Sequence, residues 1–314
     1  MQLVECVPNF SEGRRPEVIA AIRVAAAAVP GVTVLDLHAD PTHNRMVLTF
    51  VGTPDAVAEA AFRSADQAAR LIDMTVQSGE HPRIGATDVV PFVPVAGVTM
   101  DSCVELANTV GRRLGEELGI PVYLYARAAR RPERVRLPDI RRGQYEGLRT
   151  SIETDPGRKP DFGPSRLGTA GATAVGARPF LVAYNVNLAT ADLALAKRIA
   201  RNVRESSGGL PAVQALGMAT EDPNVVQVSM NLLDTALTPL HLVFETVQSQ
   251  AAADGVQVAD SEIVGLLPLD VVVAATRAHV KARQLEAGQI VEARLLQALS
   301  GAEPPPPVSG QAGA

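Results

Sequence analysis

The stretches VTVLDL at residues 32–37 and MVLTFV at residues 46–51 decide the fold. Both are rich in residues that suit a pleated surface. The polar run HADPTHNR, residues 38–45, joins them. Its Asp-Pro step is turn chemistry, so the two stretches read as neighbouring strands. Thr53 then offers an N-cap and Pro54 a first helical position. Val57, Ala61, Ala65, Ala68 and Ile72 follow on one helical face. Working towards the N-terminus, Pro16 opens an Ala-rich helix and residues 3–7 read as a strand. Towards the C-terminus, residues 89–95 read as another strand. The order is strand, helix, strand, strand, helix, strand. A further helix over 100–118, with Cys103, Ala107, Val110, Leu114 and Leu118 aligned, and a last strand over 121–125 complete this half.

The same order returns later. FLVAYNVNL, residues 180–188, alternates as a strand does. Leu193, Ala196, Ala200 and Val203 mark a helix, and 213–218 and 225–232 mark two strands. Leu240, Val243, Val247 and Ala251 mark the next helix, and residues 263–267 close the half. The prediction is an α/β (α+β) chain of two ferredoxin-like βαββαβ subdomains, over 1–178 and 179–300. Each sheet would leave one face bare, so sheet-to-sheet packing with helices outside is expected, with a ligand groove between the halves. Residues 126–160 form an Arg-rich excursion with one short helix near 141–148. Residues 161–176 read as linker or binding loop, and the Pro- and Gly-rich tail 301–314 as disordered.

Composition narrows the function. A net charge of -5 argues against nucleic-acid partners, although a local Arg cluster still suits an anionic small molecule. Cys6 and Cys103 lie in apolar patterns and read as buried free thiols in a reducing compartment. No run reaches the roughly 18 apolar residues that span a bilayer, and the first ten residues lack the pattern of a signal peptide. A cytoplasmic protein without a membrane partner is expected.

Among five histidines, His81 stands out, within SGEHPRIG at residues 78–85. Pro82 restricts it to extended backbone, and Gly79 and Gly85 permit close approach of another chain or a ligand. A neutral imidazole there accepts a proton near pH 7, or it is simply a loop histidine. His38, His43 and Asp40 fit no strong metal spacing, so a polar strand connection is the reading and no metal is expected. DFGPSRLGTAGA, residues 161–172, contains Gly163, Pro164, Ser165, Arg166, Leu167, Gly168, Thr169, Ala170 and Gly171. Its open backbone suits a flat heterocycle such as a pterin, and it lacks the Lys-Ser or Lys-Thr of a phosphate loop. Asn185, Asn187 and Asn231 are unusual strand residues, placed either to reach into a groove or to bond at strand ends.

LVECVPNFSEG at residues 3–13 resembles the start of glutamate formiminotransferases. So do Asn44-Arg45, TFVG at 49–52, GEHPR at 79–83, Gly85, Asp88, Pro91-Phe92, GVTMD at 97–101 and PVYLY at 121–125. DFGPS at 161–165, GAT at 171–173, GAR at 176–178, Asn187-Leu188 and NLLD at 231–234 carry the likeness onward, over about residues 1 to 275. The resemblance implies a folate tunnel between two subdomains and a homodimer formed through the first. It implies transfer of a formimino group from N-formiminoglutamate to tetrahydrofolate, with His81 as base and folate on the Gly163–Gly171 loop. Animal relatives add a cyclodeaminase domain, which this length does not accommodate, so the transferase step alone is expected.

Asp40, Asn44, Arg45, Arg83, Arg178 and Asn187 are then candidates to hold the donor, the guanidinium forks pairing its carboxylates. Glu80 or Asp88 would orient the imidazole. Two departures stand out: His38 replaces an acid of the family pattern, leaving its task to Asp36, Asp40 or water, and the folate loop is one residue shorter without an aromatic near its end. Two other readings keep the same site: an enzyme acting on 5-formyltetrahydrofolate, and a non-catalytic folate or amino-acid binding module.

Overall fold

The computed structural model describes residues 2–79 and 82–299. The chain forms two compact units, Met1–Pro179 and Phe180–Ala314. Tail residues 301–314, read above as disordered, lie outside the described residues.

In the first unit, β1 (Leu3–Cys6) and β2 (Asn9–Phe10) are one strand interrupted at Pro8, which has no N–H for the ladder. Both pieces lie between β4 (Arg45–Gly52) and β5 (Thr87–Ala96), antiparallel to each. Strand β3 (Val32–Asp40) covers the outer edge of β4. Helices α1 (Pro16–Ala27) and α2 (Pro54–Leu71) link these strands in the ferredoxin-like order. Pro54 opens α2 as expected, and Thr53 sits at the cap position without a side-chain bond to the helix.

Beyond this core the sheet continues. Helix α3 (Met100–Glu117) leads to β6 (Val122–Ala126), which is not the last strand of the unit. Residues 173–176, expected in a loop, form with Ala177 the strand β7 (Thr173–Ala177), inserted parallel between β5 and β6. All five of its residues are buried. At Gly176 a Cβ would stand 2.5 Å from the Tyr125 ring, so small residues let the strand enter an occupied space.

Helices α1, α2 and α3 pack one face, where Val4, Cys6, Phe10, Leu48, Phe50 and Phe92 build the main core. The other face, at the β5–β7–β6 end, is covered by α4 (Leu137–Ile140) and α5 (Gln144–Ser151). There Ile140, Leu148 and Ile152 meet Val89, Tyr123 and Tyr125. The single helix expected near 141–148 is therefore two, separated because Gly143 and Gln144 adopt φ of 83° and 56°. On the same face, at the other end of the sheet, strand alternation places Glu5, Asn9, Asp36, His38, Asp40, Arg45 and Thr49.

Cys6 and Cys103 are buried free thiols, as read from the sequence. Burial pushes Cys103 up to about 11 and Cys6 well above its ordinary value. A disulfide-exchange reagent at pH 8 should leave both unmodified in the folded protein and react with both in denaturant, because only the thiolate attacks.

The second unit is β8 (Val182–Leu188), α6 (Leu193–Val203), β9 (Val213–Ala219), β10 (Val226–Leu232), α7 (Leu240–Ala253) and β11 (Val258–Val264). The order β11-β8-β10-β9, antiparallel throughout, is again ferredoxin-like. Val186, Leu188, Val228 and Leu232 pack against Ile199, Val203, Val243 and Val247. The opposite face carries Asn185, Asn187, Gln227, Ser229, Asn231, Asp260 and Glu262, which share it by register. The closing strand starts at 258 rather than 263; the exposed polar residues Asp260, Ser261 and Glu262 in its middle hide it from an apolar pattern. Helices α8 (Leu269–Val280) and α9 (Val291–Leu299) were not expected.

Candidate functional site

The loop that carries Glu80 and His81 can be traced through its two ends; those two residues lie outside the described residues. On the near side, a Cβ at Gly79 would stand 2.4 Å from the His43 carbonyl oxygen. Asn44, at φ 48°, fixes the same junction, accepting from the Gly13 N–H (3.0 Å) and donating to the Ser78 carbonyl (2.8 Å). Gly13 in turn allows the 38–45 connection to close, because a Cβ there would meet the Asp40 carbonyl oxygen at 2.1 Å. On the far side, Gly85 bridges to Gly171, and a Cβ on Gly85 would lie 2.1 Å from the Ala172 carbonyl oxygen. Ala86 N–H donates to Ala170 O (2.8 Å), Ala172 N–H to Ile84 O (2.9 Å) and Ser11 Oγ to Gly85 O (2.7 Å). The roles assigned to these glycines rest on backbone meeting backbone.

Buried Asp88 ties down the same turn. Its carboxylate accepts from Ile84 N–H (2.8 Å) and pairs with Arg141. Arg83 is buried and fully engaged: Nε and Nη2 donate to the Gln77 side chain and carbonyl, Nη1 to Gln144, and both terminal nitrogens to Glu146. The structure thus gives Arg83 protein partners where the sequence reading gave it a substrate carboxylate. Arg45 differs. Its guanidinium donates to the Asn9 amide oxygen through Nε (2.9 Å) and Nη2, and no carboxylate of the described residues lies within ion-pair distance. Burial, with Arg141 close by, pulls its pKa down to about 10, against the opposite pull of Asp88 and Asp40. A half-buried cation bonded to a neutral amide is a place where an anion is stabilised.

Asp40 holds His43 beside this region. It accepts from Thr42 N–H (2.8 Å) and His43 N–H (2.9 Å), and its Oδ2 lies 2.5 Å from His43 Nδ1. Burial acts to raise its pKa, but these contacts outweigh it and hold the carboxyl below its ordinary value. Phe10, Ser11, His43, Asn44, Arg45, Arg83 and Asp88 together line a small cavity of about 10 Å³, room for about one water.

Residues 163–171 adjoin this region. Gly171 (φ 70°) packs against Ile84, Gly163 (φ 80°) against Ile120, and Met74 N–H donates to Thr169 O (2.8 Å). Between these anchors Ser165, Arg166, Gly168 and Thr169 are exposed, Pro164, Leu167 and Ala170 partly buried, and nothing stands within 4 Å of a Cβ at Gly168. The preceding Asp161 and Phe162 belong to the scaffold: Asp161 pairs with buried Arg134, and Phe162 lies beneath Arg112 and Arg130.

Arg178 lies elsewhere on the first sheet. It donates to Pro179 O (2.9 Å), and its charge acts on Tyr125 and on Glu5, whose pKa burial pushes up. Asn187, in the second unit, donates to Asp260 (2.6 Å) and accepts from Gln227 (3.0 Å). Sequence reasoning overlooked Glu5 and Arg141. Glu5 had a visible signal, a carboxylate inside an apolar strand; Arg141 had none within a run of arginines. Among the described residues, no three His, Cys, Asp or Glu side chains are grouped to hold a metal, and no helix is long and apolar enough to cross a membrane.

Two family models match this chain: the formiminotransferase domain, N-terminal subdomain, over residues 3–178, and the formiminotransferase domain over residues 183–298. A glutamate formimidoyltransferase of Thermoplasma acidophilum is 47% identical over 300 residues, covering 95% of this chain and 99% of that protein. One of Streptococcus pyogenes is 43% identical, covering 94% and 99%. A formimidoyltransferase-cyclodeaminase of Gallus gallus is 49% identical over 90% of this chain, which spans 53% of that longer protein.

Proposed function

The chain belongs to the formiminotransferase family, and from that premise we propose that it transfers the formimino group of N-formimino-L-glutamate to tetrahydrofolate, releasing L-glutamate and 5-formiminotetrahydrofolate. The observation that carries this is 47% identity, along 95% of the chain, to a protein named for glutamate formimidoyl transfer. The reaction is a step of one-carbon metabolism and of histidine degradation.

His81 is the base. The attacking N5 must lose a proton as it bonds to the formimino carbon, and an imidazole takes it near neutral pH. The anchored glycines on either side of residues 80–81 support this role, since they fix where the segment leaves and rejoins the scaffold. Arg45 receives a donor carboxylate, with Arg178 and Asn187 as further donor contacts. Asn44, Asp40, Arg83 and Asp88 shape the pocket through their bonds to the chain. The exposed backbone of residues 163–171 accepts the pterin. No metal takes part, and the enzyme works as a cytoplasmic homodimer, with subdomains over 1–178 and 179–300.

Purified protein given both substrates should release glutamate and form the 5-formimino product at matching rates. Turnover of 5-formyltetrahydrofolate without formiminoglutamate turnover would overturn the assignment.

Arg45→Met should raise KM for formiminoglutamate by about 10- to 100-fold, the equivalent of one charged hydrogen bond. Steady-state kinetics with the donor varied check this; a KM equal to that of the parent removes Arg45 from the donor site.

A further inference from the structure

Resting on the transfer reading above, we propose that the cleft between helix α5 and residues 74–77 takes the p-aminobenzoyl-glutamate end of tetrahydrofolate, with Arg149 and the Tyr145 hydroxyl holding one of its carboxylates.

The cleft has a volume of about 430 Å³, a size usual for small-molecule sites. Met74, Thr75 and Gln77 line it from the segment after α2, and Tyr145, Glu146 and Arg149 from α5. It adjoins the loop assigned to the pterin, because Met74 N–H donates to Thr169 O (2.8 Å). A folate whose ring rests on that loop has an open cleft beside it for the rest of the molecule.

Two groups in the cleft are left over. Tyr145 is 4% exposed and belongs to the main core, yet its hydroxyl bonds to none of the described residues. A hydroxyl so placed costs free energy until something supplies the missing bond. Arg149 follows one helical turn later, so the two side chains share a face of α5. Its guanidinium is exposed and pairs with no carboxylate among the described residues. The remaining polar groups are engaged. Glu146 pairs with Arg83 (2.8 Å), Gln77 accepts from Arg83 (2.7 Å) and donates to Asn44 O (3.3 Å), and Thr75 Oγ donates to Asp73 (2.6 Å).

The groups left over select the ligand. A guanidinium and a phenol on neighbouring turns both donate, and a carboxylate accepts from both. Met74 adds an apolar, polarisable wall, which suits an aromatic ring. An aromatic ring joined to a carboxylate-bearing amino acid is the tail of the acceptor. Formiminoglutamate has no ring, and its carboxylate already has Arg45.

The test uses the full-length enzyme and two acceptors, tetrahydrofolate and 6-methyltetrahydropterin, which keeps N5 and lacks the tail. Arg149→Gln should raise KM for tetrahydrofolate about 10- to 100-fold, the weight of a charged hydrogen bond, and KM for the truncated acceptor by less than about threefold. Tyr145→Phe, which keeps the ring in the core, should raise KM for tetrahydrofolate about 3- to 10-fold with the same acceptor dependence. Equal rises for both acceptors, no rise for either, or a rise for formiminoglutamate instead overturn the cleft assignment and leave the transfer reading standing. Calorimetry with p-aminobenzoyl-glutamate alone reads the cleft without turnover. Binding that Arg149→Gln weakens about tenfold supports the assignment; no binding, or equal binding by parent and variant, overturns it. A parent enzyme inactive with formiminoglutamate overturns the transfer reading, and the calorimetry then decides the cleft by itself.

Discussion

Replacing His81 with Asn is expected to lower kcat by about 10²- to 10⁴-fold, the usual contribution of a positioned acid–base group. Asn is close to His in size and polarity but cannot take up a proton, so the chemical step should suffer and binding should not. The loop ends support this separation. Gly79 and Gly85 are held through backbone contacts with His43, Ala172 and Gly171, none of which involves the imidazole. Folinate affinity, measured by calorimetry, should therefore match that of the parent. What remains of the rate comes from holding two substrates in register, which positioning alone supplies. Parent-like turnover by the variant would remove His81 from the mechanism.

Arg134→Ala is expected to destabilise the protein by about 3–5 kcal/mol, the range for removing one partner of a buried ion pair. Arg134 and Asp161 side chains are 3% and 6% exposed, with nitrogen and oxygen 2.7 Å apart. Arg134 also donates to the carbonyls of Gly157 (3.2 Å) and Lys159 (2.5 Å), and Asp161 accepts from Leu124 N–H (2.8 Å). Alanine would strand a buried carboxylate and two carbonyls. Denaturant unfolding reads the loss directly. The paired change Arg134→Met with Asp161→Asn should cost less than the two single changes added together, because neither charge is then left alone. A loss below 1 kcal/mol for Arg134→Ala would mean that solvent reaches the pair.

The ferredoxin-like order was legible because each element shows its own period. Strands 32–40 and 45–52 alternate or run apolar, α2 repeats its alanines at helical spacing, and the second half does likewise. Strand β7 escaped because TAVGA has neither bulk nor alternation; it is buried on both faces and packs by being small. Helix α8 contains three consecutive valines, which read as strand and obscure its helical face. The site was legible by residue type but not by partner. Arg83 and Arg45 look alike in sequence, yet Arg83 finds Gln144 and Glu146 some 60 positions later, while among the described residues Arg45 donates to Asn9. Asp40 and His43 were singled out together; the hydrogen bonds of Asn44 reach Gly13 and Ser78, 31 and 34 positions away, whereas those between Asp40 and His43 are local, within reach of sequence reasoning. The pairing of Asp88 with Arg141 joins positions 53 apart and was not.

The placement of β7 bears on how the chain is made. Strands β5 and β6 flank a slot that only residues 173–177 fill, and both pairings are parallel. A ribosome delivers β6 about fifty residues before the strand that belongs beside it. Until then two unsatisfied strand borders face each other across a gap, a template for any stray extended segment. Because distant parallel pairings form late, the nascent first unit should depend on chaperone shelter until its 177th residue emerges.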